Sequence, residues 1–103
     1  MRKRGFKYWD WADCTLHSRC HIEWLADRTL IDVQARLSRM GVTQLFVGAY
    51  AQGGELIFEE YYESRCGETI SQALLWGQER ARSLLSLQFT TLVLPRRGAY
   101  RAC

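Results

Sequence analysis

Residues 14 to 21 read CTLHSRCH, which places Cys14, His17, Cys20 and His21, all possible zinc ligands, within one short stretch. The flanking pattern argues against a metal centre. From Thr15 to Leu25 the chain alternates, with Leu16, Ser18, Cys20, Ile22 and Trp24 on one side and Thr15, His17, Arg19, His21 and Glu23 on the other, the period of a half-buried strand. On a strand, His17 and His21 stand about 13 Å apart at about 3.3 Å per residue, too far to share one ion through bonds of about 2.0 to 2.3 Å. No metal and no other cofactor is expected.

Cysteine nucleophiles are the second chemistry to weigh. Cys66 lies in SRCGET, beside Arg65 and just before an expected helix start, a setting that favours the thiolate. No histidine lies near it in sequence to act as base. Cys20, between Leu16 and Trp24, reads as a small core hydrophobe. No catalytic residue is assigned on this basis, and the chain reads as a non-catalytic module.

The totals fit one small globular domain: 103 residues, 48% hydrophobic, 24% charged and a single proline. Four tryptophans, five tyrosines and four phenylalanines supply more aromatic surface than a core of this size requires, so some is expected to face a partner. The opening MRKRGFKYWDW is not followed by the apolar run of a signal peptide, and no stretch reaches the roughly 20 apolar residues of a membrane span. A cytoplasmic location with no membrane contact is expected, with the four cysteines reduced. The net charge of +3 is unevenly spread. Arg2, Lys3, Arg4 and Lys7 make a basic start, Arg96, Arg97 and Arg101 a basic end, and the body between them is acidic. The expected organisation is a basic, aromatic arm over residues 1–13, one α+β domain over 14–95 and a basic tail over 96–103.

The elements that must position these residues follow from the hydrophobic period. After Ala26-Asp27-Arg28, Thr29 is read as the cap of a helix over residues 30–40, with Leu30, Val33, Leu37 and Met40 at helical spacing and Gly41 as a left-handed stop. Residues 42 to 64 read as two strands around Gly53-Gly54. A two-residue turn there sets Ala51 opposite Leu56, Ala49 opposite Phe58, Val47 opposite Glu60 and Leu45 opposite Tyr62. On the other face it pairs Tyr50 with Ile57, Gly48 with Glu59 and Phe46 with Tyr61. Thr69 and Gln72 form a capping box for a second helix whose inward stripe is Ile70, Ala73, Leu74, Gly77, Ala81, Leu84 and Leu85. Gly77 is expected to let that helix approach the sheet closely. FTTLVL, residues 89–94, reads as a last strand.

The order β-α-β-β-α-β points to a ferredoxin-like sandwich, an antiparallel sheet with two helices on one face and the other face open. That open face is expected to carry Phe46, Tyr50, Ile57, Glu59 and Tyr61, joined by His17, Arg19, His21 and Glu23 from the first strand. An aromatic floor of that size calls for a cover. The expectation is a homodimer or a partner protein seated on it, or else residues 1–13 folding back as a lid. Two other functions are weighed: nucleic-acid association through the basic termini, and a small ligand-binder or enzyme using the histidine, glutamate and tyrosine side chains of the floor. QLFVGAY resembles the short strand signature of RNA-recognition-motif domains, yet the companion strand ELIFEEYYE carries Glu55, Glu59, Glu60 and Glu63, which would repel a phosphate backbone. Glu60, turned toward the helix layer, needs a cation such as Arg36 or Arg82.

Overall fold

The computed structural model describes residues 3–65 and 67–90. Its elements are α1 (Phe6–Trp11), β1 (Ser18–Trp24), β2 (Leu30–Leu37), β3 (Thr43–Tyr50), β4 (Leu56–Tyr62) and α2 (Ile70–Thr90). The strands form one antiparallel meander in chain order. The α+β class stands, but the ferredoxin-like sandwich does not: there is no helix between the first two strands, and the order is α-β-β-β-β-α. Residues 30–37 form a strand because LIDVQARL also alternates, with Ile31, Val33 and Ala35 on one side and Asp32, Gln34 and Arg36 on the other. Both sides are buried, so extended backbone covers more apolar area here than a helix with one stripe would. Of the last expected strand, Phe89 and Thr90 belong to α2, and residues 91–94 lie outside the described residues.

All three hairpins close in the same way. In each, one residue donates its N–H to the carbonyl four positions on and accepts from the N–H three positions on: Leu25 with Thr29 and Arg28, Ser38 with Val42 and Gly41, Ala51 with Glu55 and Gly54. These are three-residue loops whose last residue must be left-handed, and Arg28, Gly41 and Gly54 have φ of 71°, 84° and 95°. Gly41 therefore has the expected conformation, though in a hairpin and not at a helix end. The loop at Gly53-Gly54 is one residue longer than expected, which sets Tyr50 opposite Leu56. An irregularity next to Ala49 then restores Ala49–Phe58, Gly48–Glu59, Val47–Glu60, Phe46–Tyr61 and Leu45–Tyr62 as expected.

The helix α2 covers one face of the sheet, where Ile31, Val33, Ala35, Leu45, Val47 and Ala49 meet Ala73, Leu74, Ala81 and Leu85. Its start has the expected capping box: Gln72 N–H donates to Thr69 Oγ1 at 3.1 Å, and Thr69 N–H donates to Gln72 Oε1 at 2.9 Å. Gly77 does permit close approach, since a Cβ there would lie 2.6 Å from Val33 Cγ1. Glu60 finds a cation, but it is Arg80 of α2, with Nε 2.8 Å from Oε1, and not Arg36 or Arg82. Tyr62 also donates to Glu60, and its ring meets Trp76 edge-on at 5.3 Å.

Candidate functional site

The opposite face of the sheet is covered by the chain's own start. Glu59, at the middle of β4, accepts from Gly5 N–H at 2.9 Å and Tyr8 N–H at 3.1 Å. A carboxylate from β4 thus binds free N–H groups at the beginning of the short helix α1, where its charge is favoured. Tyr50 donates to Glu59 at 2.8 Å, and Arg4 donates to Tyr50 at 3.0 Å and to Asp32 at 2.6 Å. Burial disfavours the charge on Arg4, yet its bonds to Tyr50 and Asp32 outweigh that and hold its pKa above the ordinary arginine value. Burial, with the bond to Glu59 adding, raises the Tyr50 hydroxyl far above the usual tyrosine range. Gly48 makes room for this link: a Cβ there would lie 2.8 Å from the Tyr50 hydroxyl. Asp32, Tyr50 and Glu59 are all buried, and their polar groups clamp the arm to the sheet.

Rings complete the cover. Phe46 takes Tyr8 edge-on at 5.2 Å and Trp11 at 5.6 Å, and Tyr61 donates to Asp10 at 2.6 Å. Arg36 stacks on Trp11, with its guanidinium carbon 3.9 Å from the ring centre.

The expected floor is therefore only half assembled. Phe46, Tyr50, Glu59 and Tyr61 share one face, as the register requires. Ile57 does not join them, because the irregularity at the hairpin end turns it onto the helix-side core. The β1 residues also lie on the other face: Arg19 reaches Ser71 of α2 at 3.4 Å, Glu23 binds Arg82 at 2.6 Å, and His21 sits 3.5 Å from Glu23. His17 precedes β1. The reason is the first hairpin loop. With Leu25 opposite Thr29, Ile22 falls beside Asp32 and Cys20 beside Gln34, so the apolar side of β1 follows the polar side of β2 and faces away from α2. Cys20 is exposed, not a core residue, and Cys14 is a free, exposed thiol. Cys66 lies outside the described residues, while its neighbour Arg65 binds Glu68. Among the described residues no three His, Cys, Asp or Glu side chains are grouped to hold a metal ion, and no helix is long and apolar enough to cross a membrane.

Accessible aromatic surface remains at the rim of the arm. Trp9 of α1 is 66% exposed and Trp24 at the end of β1 is 63% exposed. Both line a cleft of about 550 Å³ with Arg4, Leu30, Tyr50 and the hairpin loop Ala51, Gln52 and Gly54. The arm side of this cleft had no sequence signal beyond the unplaced aromatics of residues 1–13, and Trp24 was expected inside the helix layer. Comparison with known proteins found no match among family models, curated proteins or solved structures.

Proposed function

We propose that the chain is a small binding module that receives an apolar or aromatic side chain of a partner protein in the cleft between Trp9 and Trp24. The observation that carries this reading is the exposure of two tryptophans on the walls of one cleft, since tryptophan is the residue most enriched at binding hot spots. Among the described residues that line the cleft the one cation is Arg4, and it is paired with Asp32, which favours an apolar occupant over an anionic one. The same bond turns inward one of the four N-terminal cations expected to grip nucleic acid. The buried Asp32, Tyr50 and Glu59 serve this module by holding α1, and with it Trp9, in place.

The test is a fragment titration followed through the indole N–H signals of the labelled protein. Apolar aromatic fragments should shift Trp9 and Trp24 while leaving Trp11 and Trp76 in place, and Trp24→Ala should weaken binding at least about tenfold. Signals of Trp9 and Trp24 that stay still against the whole library would refute the reading.

A further inference from the structure

The cleft between Trp9 and Trp24 offers hydrogen-bond donors in excess of acceptors. In the loop at its end, the carbonyl of Ala51 accepts from Gly54 N–H at 2.8 Å and the carbonyl of Gly54 accepts from Lys3 N–H at 2.8 Å. The Tyr50 hydroxyl donates to Glu59 and accepts from Arg4, and the nearby carboxylates of Asp32 and Glu59 are buried and engaged by the arm. Donors remain. Trp9 and Trp24 are exposed, and an indole N–H donates without accepting. Arg4 reaches both Asp32 and Tyr50 through Nη1, so among the described residues its other guanidinium N–H groups are left for an occupant. Gln52 adds one amide, which donates and accepts.

Resting on the reading of this cleft as a partner site, we infer that its occupant is a proline-rich segment in the polyproline II conformation. An ordinary extended segment brings one N–H for every carbonyl, and N–H groups buried here would lack acceptors. Proline has a carbonyl and no N–H, which complements the surplus of donors. Its ring is an apolar plate for the faces of the two indoles, and aromatic-lined grooves take such segments because the polyproline helix is largely formed before binding. The volume of about 550 Å³ lies in the range of sites for drug-sized ligands, room for consecutive rings. Because Arg4 is paired with Asp32, an uncharged segment fits. A sugar, whose hydroxyls donate as well as accept, would meet the same shortage of acceptors.

Titration of the labelled protein with an acetylated, amidated hexaproline peptide tests this. The indole N–H signals of Trp9 and Trp24 should shift downfield as they donate to peptide carbonyls, while those of Trp11 and Trp76 stay in place. A hexapeptide with alternate prolines replaced by alanine, which restores N–H groups, should bind at least about tenfold more weakly. Trp24→Phe, which keeps a ring at an exposed position and removes the N–H, should weaken hexaproline about fivefold. Equal binding of the two peptides, or of hexaproline to the wild type and to Trp24→Phe, would overturn the inference. Aromatic fragments that shift Trp9 and Trp24 while hexaproline leaves them still would overturn it and leave the partner-site reading standing; silence toward both would end both.

Discussion

Arg36 lies against Trp11, its guanidinium carbon 3.9 Å from the ring centre, and this contact buries a cation on β2 under the N-terminal arm. Arg36 is 7% exposed and donates through Nε to Gln44 at 2.8 Å, while its Nη1 and the Trp11 Nε1 are buried with no hydrogen-bond partner among the described residues. Burial lowers the Arg36 pKa, with only the charge of Asp13 opposing it. Trp11→Ala should cost about 3 to 5 kcal/mol by removing the ring that fills this space. Arg36→Met, which keeps the stem and removes the buried charge, should be neutral or stabilising by about 1 kcal/mol. Urea denaturation of both variants checks the pair; a large loss for Arg36→Met would mean that the stacked cation contributes net stability.

Glu59 is the arm's anchor. Glu59→Ala should leave the Gly5 and Tyr8 N–H groups and the Tyr50 hydroxyl without their acceptor, at a cost of about 2 kcal/mol. The tryptophan emission should shift to the red as Trp11 meets water, and protease cleavage within residues 1–13 should speed up. An unchanged emission spectrum would show that the rings alone hold the arm.

Arg28 is the exception among the three hairpins, a side chain where the other two have glycine. Arg28→Gly should raise stability by about 1 kcal/mol, and Gly41→Ala should lower it by a similar amount. Thermal denaturation of the two variants should therefore move in opposite directions.

Gly77→Ala improves helix propensity by about 1 kcal/mol, but its methyl would sit 2.6 Å from Val33 Cγ1. The net effect should be a loss of about 1 to 2 kcal/mol. Adding Val33→Ala should recover part of it, which a double-mutant cycle would reveal as coupling.

Alkali should unfold the protein through two tyrosines. Burial, reinforced by Glu60, pushes the Tyr62 hydroxyl up to about 12, and burial raises Tyr50 as well. A folded pKa above the unfolded one means that the folded state holds the proton more tightly. The stability this supplies is whole below the unfolded value of about 10 and is lost as pH climbs through the folded values. Absorbance titration should show these two rings ionising late, together with loss of structure. On the acid side the bond to Arg82 lowers the Glu23 pKa, so its contribution is whole above about pH 4.3 and fades as pH falls through the depressed value.

The hairpin from Thr43 to Tyr62 was legible because alternation and Gly53-Gly54 agree, and a local irregularity absorbed the extra loop residue. The cap of α2 and the close approach at Gly77 were legible because each depends on residue types a few positions apart. Residues 30–37 were not. Leu30, Val33 and Leu37 satisfy a helical spacing, while the competing alternation puts Asp32, Gln34 and Arg36 on a side that is buried only because a segment some thirty residues away covers it, as the Arg4 to Asp32 bond shows. The candidate site divides along the same line. Phe46, Tyr50, Glu59 and Tyr61 come together from register alone, but the orientation of β1 depends on how many residues its first loop contains, and one residue reverses every side chain.

A meander whose strands each pair with the one before also constrains how the chain reaches its native state. Every ladder can zip from a nearby loop, so the sheet and α2 have little conformational search to complete and should assemble quickly. The bond from Gly5 to Glu59 closes a span of 54 residues, the most distant contact in sequence of those that hold the arm, and it rewards docking only once β4 is in place. The amino-terminal segment, though made first, should settle last, and the slowest phase of refolding should report the quenching environment around Trp11.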